Sequence, residues 1–314
     1  MRCLVLGAGG FIGQNLVDEL LVKGHDVVAY DRPAAIQEIQ EQFPQANCIT
    51  GDFLTENNWV NILQRVKTCY HLISTSLPKT SNDDPISDVT GNVLGTLRLL
   101  EAARKINKNI RIVFASSGGT VYGPLKSETV REDHPTDPIC SYGITKLMIE
   151  KYLQLYRELH GVSSIALRIA NPYGFRQNPD ATQGVIGVFS GRILNNSAID
   201  VWGDGSVVRD YIFVKDVVDA MLSAANYGGR EVIFNIGSGE GHSLREILSA
   251  IEKATQKEAN IIFHPSRGFD IQKSILNISR AKSEFNWHPK IGLQEGINKT
   301  IHWMSSYMEN NKNH

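Results

Sequence analysis

The 314-residue sequence is short of cysteine, of surplus charge and of long apolar runs. Four cysteines, at 3, 48, 69 and 140, form no CxxC pair, which excludes a short-range disulfide framework and fits reduced, structural thiols. Lysine plus arginine number 32 against 33 aspartate plus glutamate, a net charge of -1, so the chain carries no overall field for gripping nucleic acid or an anionic membrane. The nine histidines show neither HxxxH nor HExxH spacing, and no metal is expected. No stretch approaches the ~18 apolar residues of a membrane span. The apolar run from Cys3 to Ile12 behind Arg2 has a faint signal-peptide look, but glycines break it. It reads better as a buried strand entering a turn, and a cytoplasmic location is expected.

What remains is an ordinary globular composition, 42% hydrophobic and 21% charged, with room for one large α/β domain or two sharing a cleft. Short apolar runs suited to strands occur at Arg2–Leu6, Asp26–Tyr30, Cys69–Ile73, Arg111–Ala115 and Ser164–Ala170. Between them, Phe11–Leu21 and Val93–Ile106 carry apolar residues at helical spacing, as does Ser141–His160. Strands alternating with helices predict βαβ units and a parallel sheet. Beyond Asn171 the pattern loosens, and apolar segments return near Ile199–Trp202, Tyr211–Val214 and Val232–Ile236. The polar tail Met308–His314 is expected to fray. The expected architecture is α/β: a Rossmann-type doubly wound parallel sheet over residues 1–171, with a returning segment near 207–237. A smaller C-terminal α/β substrate domain would comprise 172–206 and 238–314.

Gly7-Ala-Gly9-Gly10-Phe11-Ile12-Gly13 lies directly between the first strand and the first helix. Glycines permit the tight turn and let backbone N–H groups approach a pyrophosphate, where the helix N-terminus adds unpaired donors and a positive dipole end. The spacing is GxxGxxG rather than the commoner GxGxxG. Asp31 ends the second strand 18 residues after Gly13, placed to accept from both ribose hydroxyls of NAD. Arg32 follows and is suited to a 2′-phosphate, which Asp31 would repel, so NAD is favoured over NADP. Asp52, beside Phe53, has two readings: an acceptor for the adenine amino group, or a loop cap.

Tyr142 and Lys146 stand four apart in the stretch that opens at Ser141, on one helical face. A phenol with pKa about 10 is a poor base at neutral pH. A nearby ammonium and a positive nicotinamide both favour phenolate, so the Tyr142 pKa is expected to fall toward the working range. Tyr142 would then take a proton from a sugar hydroxyl while hydride leaves the same carbon.

These motifs, with Ser116-Ser-Gly-Gly-Thr-Val-Tyr-Gly123, Leu167-Arg-Ile-Ala-Asn-Pro-Tyr-Gly174 and Gly203-Asp-Gly-Ser-Val-Val-Arg-Asp-Tyr-Ile-Phe-Val-Lys-Asp216, cover nearly the whole chain. Together they resemble the extended short-chain dehydrogenase/reductases, and within them nucleotide-sugar epimerases of the UDP-galactose (UDP-glucose) 4-epimerase type. The resemblance implies a Ser or Thr completing a triad with Tyr142 and Lys146. This chain has Gly118 where that hydroxyl usually sits, leaving Thr120 or Ser117 to supply it, with Thr120 preferred. Sugar dehydratases of the family usually carry an Asp-Glu pair before Val-Tyr-Gly; Gly119-Thr120 here argues against dehydration.

The resemblance also assigns Leu72 and Asn92 to the cofactor pocket, although Asn92 also reads as a helix cap. It assigns Arg209 and Arg267 to the diphosphate. Asn171 falls to the sugar nucleotide, Asp270 to the neighbourhood of the nucleotide ribose, and Trp202 to the base or equally to core packing. Ser274 stands where a bulky Tyr narrows some epimerase pockets, which leaves room for an N-acetyl group. The implied activity is NAD-dependent 4-epimerisation of a UDP-hexose, either UDP-Glc/UDP-Gal or UDP-GlcNAc/UDP-GalNAc. The alternative is an NAD(P)H-dependent reductase of a dTDP- or other NDP-4-keto-6-deoxyhexose. A homodimer through the helices around Val93–Ile106 and Ser141–His160 is expected by the same resemblance.

Overall fold

The computed structural model describes every residue except Lys79, Lys126, Glu128, Thr182, 267–271 and 313–314, with side chains described through residue 309. In chain order the strands are β1 (Arg2–Leu6), β2 (Asp26–Asp31), β3 (Asn47–Thr50), β4 (Thr68–His71), β5 (Arg111–Ser117), β6 (Ser163–Ile169), β7 (Asn171–Tyr173) and β8 (Ile199–Trp202). They continue as β9 (Val208–Phe213), β10 (Ile233–Ile236), β11 (Gly241–Ser243), β12 (Ile261–His264) and β13 (Lys273–Ser274).

Seven of them form one parallel sheet in the order β10-β6-β5-β4-β1-β2-β3. Each is nearly continuous in apolar residues, because helices cover both faces. One face packs Leu16, Val17 and Leu20 of helix Phe11–Val22 together with Val217 and Met221 of helix Val214–Asn226. The other packs Leu99, Leu100 and Ala103 of helix Gly95–Ile106 with Ile149 and Leu153 of helix Ser141–His160. The sheet is the Rossmann arrangement the alternating pattern predicts. The chain runs outward from β1 to β3 and then returns to β4 on the other side of β1, so a crevice opens at the carboxyl ends of β1 and β4.

A second, smaller set of strands lies C-terminal in sequence: β9 pairs with β7, β11 and β13, and β8 pairs with β12. Its core gathers Phe189, Phe213, Ile247 and Ile297. Of the segment 207–237, helix Val214–Asn226 and β10 join the seven-stranded sheet, whereas β9 belongs to the second one. Two elements depart from the sequence reading. The stretch before Gly95 is not a plain helix start but a π-helical turn, Val89–Leu94, leading into Gly95–Ile106. The tail does not fray at Met308, since helix Leu293–Lys312 runs almost through it. Ile297, Ile301 and Met304 anchor that helix in the core, and their burial carries the polar last turns.

Between β5, β6 and the helix Ser141–His160 lies a buried ion pair. Arg168 Nη2 approaches Glu150 Oε2 at 2.7 Å, with the two side chains only 3% and 1% exposed. Glu150 also accepts from the Ser116 hydroxyl at 2.5 Å, and the Arg168 guanidinium lies 4.7 Å from the Tyr122 ring centroid. Arg168→Leu leaves a carboxylate buried without its cation. The expected loss is about 3–5 kcal/mol of unfolding free energy in urea titration. A double Glu150→Leu/Arg168→Leu variant should recover a large part of it, because the desolvation cost of both ions goes with them.

Candidate active site

The glycine turn closes over the end of β1. Gly7 holds φ +85°, and a side chain there would press on the backbone of Leu72 and Ile73 at 3.1 Å. At Gly13 a Cβ would meet the Gly7 carbonyl oxygen at 2.1 Å, so the helix can pack this tightly onto the turn only without a side chain. Helix Phe11–Val22 starts at Gly10 with no side-chain cap and no acid in its first turn. Its leading N–H groups are therefore left to an external acceptor, which suits a dinucleotide pyrophosphate.

Asp31, at the end of β2, accepts from the Gly9 N–H at 2.9 Å and from the Arg32 N–H at 2.8 Å, one on each oxygen. The carboxylate braces the turn and keeps lone pairs for a ribose diol. Arg32 is exposed beside it. Asp52 accepts from the Leu54 N–H at 2.9 Å, which is the loop cap, while its exposed side chain stays open to a ligand. Phe53 is buried against Trp59, His71 and Gly95.

Tyr142 and Lys146 lie on the first turns of helix Ser141–His160. Lys146 is only 4% exposed. Its ammonium donates to the Ala115 carbonyl at 2.9 Å and lies 4.8 Å from the Phe114 ring centroid and 5.4 Å from that of Tyr142. Burial lowers its pKa to about 8, against the pull of Asp88 and Glu150, which favour the charged form. The Tyr142 phenol moves opposite to expectation. Burial raises its pKa to about 12, with Cys140 and Asp88 adding to the rise and the nearby Ser74 hydroxyl opposing it. Lys146 gives one of its three ammonium protons to Ala115, and it is the burial of the phenol that decides the direction of the shift.

Gly118 has a steric cause. A Cβ there would lie 2.5 Å from Leu276 Cδ1 and 3.1 Å from the Arg168 carbonyl oxygen. The neighbouring Ser116 hydroxyl is taken by Glu150. Ser117 is half-buried, and the Thr120 hydroxyl is buried with no hydrogen-bond partner. Asn92 is buried but caps no helix: its Oδ1 accepts from the Thr75 N–H at 2.9 Å, and its Nδ2 donates to Asp88 at 2.8 Å. Ser74 and Asp88, both in contact with this site, were not picked out from sequence; no motif marks them.

On the substrate side, Asn171 donates to the Asp210 carbonyl at 2.8 Å. Trp202 is 40% exposed and stacks on His264 at 5.1 Å, which removes the core reading. The two rings, with Gly203, Val207, Arg245 and Gln272, line an open cavity of about 660 Å³. Arg209 is half-buried on β9, next to the buried Asp210, and Ser274 is buried on β13. Arg267 and Asp270 lie outside the described residues. Among the described residues no cluster of His, Cys, Asp and Glu is arranged to hold a metal, and no helix is long and apolar enough to cross a membrane.

Residues 3–237 match the NAD dependent epimerase/dehydratase family. The chain belongs to that family. It is 38% identical to a UDP-glucose 4-epimerase of Mycolicibacterium smegmatis, over 96% of this chain and 97% of the relative. It is 37% identical to a dTDP-4-dehydro-6-deoxyglucose reductase of Escherichia coli, over 95% of this chain and 96% of the relative. Its fold is similar to that of a UDP-glucose 4-epimerase of Thermotoga maritima crystallised with UDP-glucose, at TM-score 0.92 and 33% identity, covering 98% of this chain and all of that one.

In this epimerase-family chain the glycine turn and Asp31 are the candidate cofactor side. Asp31→Ala removes the acceptor for both the turn and a ribose. It is expected to weaken NAD binding by about 2 kcal/mol, roughly 30-fold in Kd, by isothermal calorimetry. An unchanged Kd would remove Asp31 from the cofactor site.

Proposed function

We propose that this protein is an NAD-dependent UDP-hexose 4-epimerase, an isomerase. The observation that carries the reading is the Tyr142–Lys146 pair, held on one helical face at the carboxyl edge of the sheet, behind an uncapped glycine turn. Kinship with a UDP-glucose 4-epimerase over almost the full length supports the reaction class. The kinship with a keto-sugar reductase keeps the reductase as a second reading, since the same pair would serve both.

In this reading Gly7, Gly10, Phe11, Ile12, Gly13, Asp31, Arg32, Asp52, Phe53, Leu72 and Asn92 shape the NAD side, with Tyr142 and Lys146 at its reactive end. NAD held there would supply a reversible hydride acceptor for the sugar carbon whose hydroxyl Tyr142 deprotonates. Tyr142 removes the 4-hydroxyl proton and later returns it. Lys146 anchors on Ala115 and presents its charge to the phenol and the nicotinamide ribose. Thr120 supplies the hydroxyl that bridges substrate oxygen and phenol in preference to Ser117, because its buried hydroxyl has no other use in the protein. Asn171, Trp202, Arg209, Arg267 and Asp270 hold the nucleotide sugar. Residues 172–206 and 238–314 make up that substrate part together with β9, against a cofactor part of 1–171 to which helix Val214–Asn226 and β10 return.

We also propose a cytoplasmic homodimer. Four unpaired cysteines support the compartment. Exposed Ile144, Leu155 and Leu159, with half-buried Met148, form one stripe along helix Ser141–His160, and Leu94 is exposed at the start of its neighbour. Leu155→Glu/Leu159→Glu is expected to halve the mass seen by sedimentation; an unchanged mass would refute the interface.

The decisive assay incubates the protein with NAD and UDP-glucose or UDP-N-acetylglucosamine, and separately with NADH and a dTDP-4-keto sugar. Interconversion of UDP-hexoses without net NADH loss is expected; NADH consumption with the keto sugar alone would reject the epimerase. Tyr142→Phe should lower kcat by about 100-fold or more while sparing NAD binding.

A further inference from the structure

Asp88 is a buried carboxylate that no motif marks. It is 1% exposed and sits where the π-helical turn Val89–Leu94 begins. Its oxygens accept from the Ser76 hydroxyl at 2.5 Å, the Ser141 hydroxyl at 2.6 Å and Asn92 Nδ2 at 2.8 Å, with the Thr145 hydroxyl at 3.4 Å. Those donors come from three places. Ser76 belongs to the loop after β4, Asn92 to the π-helical turn, and Ser141 and Thr145 flank Tyr142 on its own helix. The same loop closes over the helix start, where the Tyr142 N–H donates to the buried Ser81 hydroxyl at 3.0 Å and the Ser141 N–H to Asn82 Oδ1 at 2.8 Å. Ser74, two residues before Ser76 and donating to its carbonyl at 3.1 Å, has its hydroxyl near enough to the Tyr142 phenol to favour phenolate.

We propose that Asp88 is a positioning residue of this active site: its carboxylate locks the Ser74–Ser76 loop to the first turn of the Tyr142 helix and sets a negative charge at the start of that helix. The proposal rests on the reading of Tyr142 as the group that exchanges the sugar's proton. A wide π-turn suits the task, because it brings Asp88 and Asn92 together over one loop. With Gly118 closed off by Leu276, the loop after β4 brings the phenol a hydroxyl neighbour in Ser74.

The charges around the pair can be named element by element. Asp88 faces it from the π-turn, Cys140 and Glu150 from the helix Ser141–His160 and the residue before it, and His71 from β4. Arg168 on β6 offsets Glu150, and burial beside Lys146 lowers the His71 pKa to about 3, so His71 is neutral. Asp88 is thus the carboxylate that acts on both members: it favours ammonium at Lys146 and disfavours phenolate at Tyr142.

Two readouts on the NAD complex test this. One is the pH profile of kcat. The other is the phenol titration, read as the absorbance difference from a Tyr142→Phe protein, which needs no turnover. In Asp88→Asn, the acid limb and the phenol midpoint should both move down by about half a pH unit, and kcat should fall about tenfold as the loop loosens. Ser74→Ala should move both midpoints up, because it removes a donor to the phenolate. Should Asp88→Asn not fold, Ser76→Ala removes one hydrogen bond and keeps the charge; kcat should fall with the midpoints in place. Midpoints unmoved in Asp88→Asn, or moved the same way by Ser74→Ala, would overturn the proposal. Absence of UDP-hexose turnover in the unaltered protein would overturn the epimerase reading instead, and the titration would still decide the role of Asp88.

Discussion

The site turns on one buried ammonium. Lys146 could stay extended into solvent, yet its head lies against Ala115's carbonyl, between the faces of Phe114 and Tyr142. That single contact sews helix Ser141–His160 to β5 at the point where both reach the crevice. It also fixes the phenol's distance from the sheet, because Tyr142 sits one turn earlier on the same face. A solvated lysine would hold neither. Burial has an electrostatic cost, visible in the lowered pKa of Lys146, and carboxylates on two sides offset part of it.

Those carboxylates are in turn restrained. Glu150 is neutralised by Arg168 and bonded to Ser116, so its charge is largely spent inside the sheet-helix interface. Among the described residues, Asp88 meets hydroxyl and amide donors at hydrogen-bond distance and no cation. Its charge is stabilised without being cancelled, and it acts on its neighbours across a poorly screened interior. The helix of the catalytic pair is thus braced twice. Near its middle an ion pair fixes it to β6, and at its start a web of serine hydroxyls and asparagine amides fixes it to the loop after β4. The second brace is the more adaptable, since hydroxyls re-aim at little cost.

Much of this was legible in the sequence, for reasons that can be given residue by residue. The run Arg2–Leu6, the glycines after it and the acid at Asp31 obey steric and electrostatic rules that act within 31 residues, and the glycine turn forms as they require. Lys146 falls on the face of Tyr142 because helical periodicity is local. The sign of the Tyr142 pKa was not legible, because it depends on how much protein covers the ring, and that is a tertiary quantity. Ser74, Ser76, Ser81, Asn82 and Asp88 look like any polar loop; they become a site only when the fold lays that loop against Ser141. The π-turn hides for the same reason, as its extra residue is invisible to a count of apolar positions.

Gly118 shows how packing and chemistry trade places. Beside β5, Leu276 approaches so closely that any side chain at 118 would collide with it. Leu276 itself belongs to the sheet-side core and follows β13, whose partner β9 carries Arg209 and Asp210. Its amide donates to Asp210 at 3.2 Å, and that carboxylate also binds Ser238 and Gly239. The surroundings of Gly118 are therefore tied to the second sheet, through a buried aspartate that gathers three backbone N–H groups. A hydroxyl at 118 would require the Leu276 side chain to give way.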